Sequence, residues 1–254
     1  RLYKNGEAIT EPNWYGRAIG FSTAEVAVIE AAQHSAFNQL IKITADQAIE
    51  LTSADYYSSL LAANDDVLVL MQTNFTTDPS YQVIAGEKSF AIEDLSFAPN
   101  IAINLTRLRD TNTNRSVVLL PENPTGPLPV IMSPYGGPHA QLVLATKRKY
   151  ALDQWFANQG FAVIVSDGLG SPGVSVHWEH AIAKNFTAAV DCQIAALQQA
   201  DQELPGMLDL NRVGIRGWSF GGYLSALATM VRPDIFKVAV AGAPVTEWRL
   251  YDSA

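Results

Sequence analysis

The sequence predicts a doubly wound, mainly parallel α/β sheet preceded by part of an all-β propeller. Three observations carry this expectation. Residues 1–95 are filled with short β-prone stretches bounded by Asn, Asp and Gly. Turn signals there recur at intervals of 40 residues, and about 40 residues is the length of a four-stranded propeller blade. After residue 127 the apolar pattern changes to short strands separated by helices of about 10–15 residues, the sequence form of a parallel sheet.

In the first part, Glu25-Val26-Ala27-Val28-Ile29 and Val67-Leu68-Val69-Leu70 read as strands. The recurring turns are Lys4-Asn5-Gly6-Glu7, Ala45-Asp46-Gln47 and Ala85-Gly86-Glu87-Lys88, with Gly6, Asp46 and Gly86 in register. A plain β-meander with coincidental spacing is the alternative. Pro121-Glu122-Asn123-Pro124-Thr125-Gly126-Pro127 is a turn-rich connector. Beyond it the pattern gives strands over 128–133, 161–165, 212–216 and 236–241, and helices over 147–158, 188–199 and 220–230. Strands within 101–120 begin the sheet.

Composition narrows the function. Of 254 residues, 48% are hydrophobic and 17% charged, enough apolar side chain for a sizeable core. A net charge of -8 argues against a nucleic-acid partner, which demands surplus Lys and Arg. Lys147-Arg148-Lys149, the densest basic run, reads as a solvated helix face. Cys192 is the only cysteine, so no intrachain disulfide forms and a cytoplasmic location is expected, with secreted or periplasmic locations left open. The sequons at Asn74, Asn104, Asn114 and Asn185 carry little weight in an Asn-rich chain. No apolar run is long enough to span a bilayer. The chain begins at Arg1, so it is expected to be a piece of a longer protein.

The chemistry gathers at Gly217-Trp218-Ser219-Phe220-Gly221, a Gly-x-Ser-x-Gly sequence directly after a predicted strand and before a helix. So sharp a turn strains Ser219 and brings residues 217 and 221 too close for a Cβ. It raises the Ser219 hydroxyl above the sheet edge, where the helix N-terminus faces any oxyanion. In the α/β-hydrolase fold one oxyanion donor is the amide after the serine, here Phe220, and the other comes from the loop after an earlier strand. That loop is Ser133-Pro134-Tyr135-Gly136-Gly137-Pro138, where Tyr135 offers a phenolic hydroxyl. The bland readings are an idle serine in a Gly-rich turn and a packed aromatic at Tyr135.

Four segments occur in one order: 134–139 (PYGGPH), 167–173 (DGLGSPG), 217–223 (GWSFGGY) and 243–252 (APVTEWRLYD). Together they resemble the dipeptidyl-peptidase IV branch of the prolyl oligopeptidase family of serine peptidases. The resemblance implies that Ser219 is the nucleophile and that Tyr135 and Phe220 form the oxyanion hole. It implies that Val245, Trp248 and Tyr251 wall a small apolar pocket for a proline or alanine side chain, a use that suits flat aromatic faces. It implies a propeller end over 1–95, a truncated catalytic domain over 96–254 and a peptide substrate. It allows a homodimer of the full-length protein. Cofactors and metals are not expected.

Leu169 stands where the family usually has arginine, so any salt bridge of that arginine is in doubt. The paired glutamates that recognise a peptide amino terminus should lie before Arg1. His34, His139, His177 and His180 all precede Ser219, whereas in α/β-hydrolases the acid and the histidine follow the serine. Both are therefore expected beyond Ala254, and the chain by itself is expected to be almost inactive. His177 and His180 lack zinc-motif spacing, Cys192 reads as a buried small hydrophobe, and Asp167 and Asp252 as loop braces. Alternatives are an acylaminoacyl peptidase or oligopeptidase, an esterase-type hydrolase, and a non-catalytic α/β-hydrolase homologue.

Overall fold

The computed structural model describes residues 3–4, 6–8, 15–23, 26–32, 34–44, 47–97 and 100–251. Asn5, Glu25, Ala45, Asp46 and Asp252, named above in turn, strand and loop expectations, lie outside these. The chain forms two compact units, Arg1–Asn100 with Leu144–Tyr150, and Ile101–Val143 with Ala151–Ala254.

The first unit is all β. Strands β1 (Tyr3–Lys4) and β2 (Glu7–Ala8) form a hairpin around Gly6. Strands β3 (Tyr15–Ser22), β4 (Ala27–Ala32), β5 (Gln39–Ile43) and β6 (Ala48–Glu50) form one antiparallel four-stranded meander. Strands β7 (Tyr57–Ala63), β8 (Val67–Thr73), β9 (Ser80–Ala85) and β10 (Lys88–Ile92) form a second. These are propeller blades in form, and the 40-residue turn spacing is their period. Gly86, at φ 59°, turns β9 into β10, while the turn between β5 and β6 is clasped by Thr44 N–H donating to the Gln47 carbonyl at 2.9 Å. Both are third-to-fourth strand turns, which is why the signals align.

Ile29, Ile41 and Ile43 fill the core of the first meander. Glu30 ties it to the second: one carboxylate oxygen accepts from the Leu60 amide at 3.0 Å and the other from Asn38 Nδ2 at 3.1 Å. A strand edge is satisfied by a charged acceptor, a stronger bond than a neutral one.

Residues 147–158 depart from expectation. The helix is split into a 3₁₀ turn over Lys147–Tyr150 and helix α1 over Ala151–Asn158. The basic run is not a solvated face: Lys147 and Arg148 both pair with Asp78, at 2.8 and 3.3 Å, and Arg148 pairs with Asp94 at 3.0 Å. Tyr150 is fully buried and its hydroxyl donates to the Leu144 carbonyl, closing the segment on itself. Helical periodicity cannot distinguish a helix from a turn whose cations are taken up by distant carboxylates.

The second unit is a six-stranded sheet in the order β11-β12-β14-β13-β15-β16, with β11 (Leu105–Arg107), β12 (Asn114–Leu119), β13 (Leu128–Met132), β14 (Ala162–Gly168), β15 (Leu208–Trp218) and β16 (Phe236–Gly242). The first two strands are antiparallel and the other four parallel. Helices α2 (Val176–His180), α3 (Thr187–Glu203) and α4 (Phe220–Val231) complete it. The path from β13 through α1 to β14 runs one way along the sheet, and the paths through α3 and α4 run the other. Right-handed crossovers therefore place α1 on one face and α3 and α4 on the opposite face. Alternate β13 residues Leu128, Val130 and Met132 share a core with Val190, Leu197 and Leu224 of α3 and α4. The expected sheet with helices on both faces is the α/β-hydrolase arrangement observed. Its reversal of strand order beside β13 brings the ends of β13 and β15 together at the sheet's carboxyl edge, where such folds place their sites.

Candidate active site

Strand β15 runs directly into α4 through Ser219, whose φ of 57° and ψ of -119° are strained for a residue with a side chain. The surrounding glycines are required by contact. A Cβ on Gly217 would lie 2.3 Å from the Gly221 carbonyl, and one on Gly222 would lie 2.3 Å from that of Gly242. The turn is pinned by Ser219 N–H donating to the Gly242 carbonyl at 2.9 Å and by Tyr223 N–H donating to the Ser219 carbonyl at 3.0 Å. The Ser219 side chain makes no capping bond to α4. The first-turn amides of α4, Phe220's among them, begin a helix whose dipole favours negative charge there.

The loop after β13 lies against this helix start. A Cβ on Gly136, at φ 70°, would stand 2.3 Å from Leu224 Cδ2, and one on Gly137 would stand 2.4 Å from the Phe220 ring. Tyr135 is half-buried, its ring 6.1 Å from that of Phe220. Below the loop, Asp153 of α1 accepts from Ser133 Oγ at 3.2 Å and from Arg216 Nη2, while the Arg216 guanidinium sits 4.4 Å over the Phe156 ring. One carboxylate thus joins the first residue of the Tyr135 loop to the strand that carries the elbow.

Tyr135, Phe220, Val245, Trp248 and Tyr251 come together as walls of one cavity of about 230 Å³, and Phe220 is the residue that follows Ser219 in the chain. Trp248 opens a short 3₁₀ turn over Trp248–Leu250, capped by Glu247, whose carboxylate accepts from the Arg249 amide at 3.1 Å and pairs with its guanidinium at 2.7 Å. Hydrogen bonds from the Arg249 side chain and then its amide hold the Glu247 carboxyl below the usual glutamate range. A larger, mostly apolar concavity of about 790 Å³ lies along the sheet, walled by Pro129, Ile131, Val238 and Val240. Beside strand surface it is lined by Tyr135 and by Gly217 and Trp218, which lead into Ser219.

The sequence reading did not single out Phe186 and Tyr223. The Phe186 ring lies 5.1 Å from that of Trp248 and 5.5 Å from that of Phe220, and the Tyr223 ring 5.2 Å from that of Trp248. Tyr223 stood within a quoted motif; Phe186 carried no signal beyond being aromatic. His139 is exposed, at φ 80°, and with Glu179 and His180 contributes to the cavity wall. Leu169 packs on the apolar core. Cys192 is buried, and burial pushes its thiol pKa up. Asp167 braces the 138–143 loop by accepting from the Leu142 and Val143 amides at 2.9 and 2.7 Å. Asn114 is buried, so its sequon offers no accessible amide. Among the described residues there is no cluster of three or more metal-ligating side chains, and no helix is long and apolar enough to cross a membrane.

Comparison with known proteins places these features in context. Residues 150–254 match the prolyl oligopeptidase family. Over 128 residues, 49% of the chain, it is 43% identical to dipeptidyl peptidase 8 of Mus musculus. It is 29% identical to a probable dipeptidyl peptidase 4 of Aspergillus flavus over 81% of its length, and 27% identical to dipeptidyl peptidase 4 of Felis catus over 78%. The matched segments span 14%, 28% and 24% of those relatives.

Proposed function

Because residues 150–254 match the prolyl oligopeptidase family, we propose that the protein is a serine peptidase that cleaves peptide bonds after Pro or Ala through an acyl-enzyme on Ser219. The observation that supports this most directly is the positive φ of Ser219 between β15 and α4, a conformation whose strain is repaid by presenting a nucleophile.

In the proposed reaction Ser219 Oγ attacks the carbonyl carbon, and its proton passes to a general base and then to the departing amine. The oxyanion is met by the Phe220 amide and the Tyr135 hydroxyl. Water then gives a proton to the base and attacks the ester, and the base passes that proton to Ser219 Oγ as the acyl group leaves. Val245, Trp248 and Tyr251 hold the proline or alanine side chain. The base is assigned to a histidine following Ser219 in chain order, oriented by an acid. No histidine of residues 1–254 takes that place. The paired four-stranded meanders favour a peptidase of this architecture over an esterase, whose elbow does not call for them.

The test uses the full-length protein with chromogenic Gly-Pro and Ala-Pro amides and a serine-directed phosphonate. Turnover and labelling at Ser219, both lost in Ser219→Ala, are expected, with kcat falling by about 10⁶. Turnover that survives in Ser219→Ala would refute the assignment.

A further inference from the structure

We infer that Phe186 is a specificity-determining residue, the wall that limits the cavity it forms with Phe220 and Trp248 to the side chains of Pro and Ala. The inference rests on the peptidase reading and goes beyond it in naming a residue that the motifs do not contain. Phe186 lines the same cavity as Tyr135, Phe220, Val245, Trp248 and Tyr251. Its ring is tilted by 35° to that of Trp248 and meets those of Phe220 and Tyr223 edge-on, at 87° and 80°. Three neighbours in three directions fix the ring's plane, so it is a rigid wall.

The second observation is local. Phe186 directly precedes α3 with helical φ of -70° and ψ of -17°, and its carbonyl accepts from the Ala189 amide at 3.1 Å. The backbone that carries the ring is thus fixed by the helix start, which holds the ring in the cavity wall. The cavity, at about 230 Å³, is smaller than the roughly 300 Å³ at which whole-ligand pockets begin. It takes one part of a substrate and not the whole.

The full-length protein carrying Phe186→Gly is compared with the parent on dipeptide amides ending in Pro, Ala, Leu and Phe, with phosphonate titration counting active sites. Removing the ring should raise kcat/KM for Leu and Phe relative to Pro by about tenfold or more, the discrimination a few apolar groups provide. Phe186→Leu, which keeps most of the volume should the glycine variant not fold, should shift the same ratio in the same direction by less. An active, fully titrated variant with the parent's ratios would overturn the role of Phe186 and leave the peptidase reading standing. A parent that is neither labelled at Ser219 nor active on any of the four amides would overturn both.

Discussion

A Cβ added to Gly221 would stand 2.5 Å from the carbonyl oxygen of Pro134. The first turn of α4 is therefore in direct contact with the backbone that leads into Tyr135. Gly221→Ala should push that loop outward and separate the Tyr135 hydroxyl from the Phe220 amide. A displacement of about 1 Å lowers rate by about a hundredfold, so kcat/KM of the full-length protein should fall by that order while its melting transition remains cooperative. Unchanged activity would show that the loop yields without cost.

Tyr135→Phe removes a single hydroxyl and keeps the ring that packs 6.1 Å from Phe220. Loss of one oxyanion donor lowers kcat by about 10²–10³, and KM should change little. Steady-state kinetics on a Gly-Pro amide decide it; an unaltered kcat would assign the second donor to another group.

Asp153→Ala leaves Arg216 without the carboxylate it donates to and Ser133 without its acceptor. Both partners are largely shielded from water, with side-chain exposures of 14% for Asp153 and 23% for Arg216. Stranding such a cation should destabilise the second unit by about 2 kcal/mol, read as a lower urea midpoint with an unchanged slope. Asp153→Glu should recover part of the loss.

Trp248 is carried by a turn whose cap is ionic. Arg249 lowers the Glu247 pKa, so the cap is complete above the ordinary glutamate range and is lost as pH falls through the lowered value. Binding of a pyrrolidide inhibitor, measured by calorimetry, should weaken as pH falls below the ordinary glutamate range. Glu247→Gln should bind more weakly than the parent at neutral pH and lose that acid-side step. An identical profile in the two proteins would separate the cap from the pocket.

The elbow was legible because its constraints are local: one sharp turn demands glycine on both sides of Ser219, and the demand is written in five adjacent residues. The blade period was legible for the same reason, since each third-to-fourth strand turn repeats its own turn chemistry. The Lys147–Tyr150 segment was not, because Asp78 and Asp94, which take up its charge, lie far away in sequence and no periodicity points to them. Phe186 was hidden for a related reason. Its partners Phe220, Tyr223 and Trp248 come from a later helix and a later turn, and only the folded sheet brings the four rings together.

The strain at Ser219 is held from several directions at once, by the carbonyl of Gly242 on β16, by Tyr223 on α4 and by glycines that leave no slack. Such a conformation has no intermediate resting place, because releasing the serine means separating β15 from its neighbour. Heat should therefore abolish the proposed reactivity of Ser219 in the same event that melts this unit, and residual phosphonate labelling can serve as a direct count of molecules still folded.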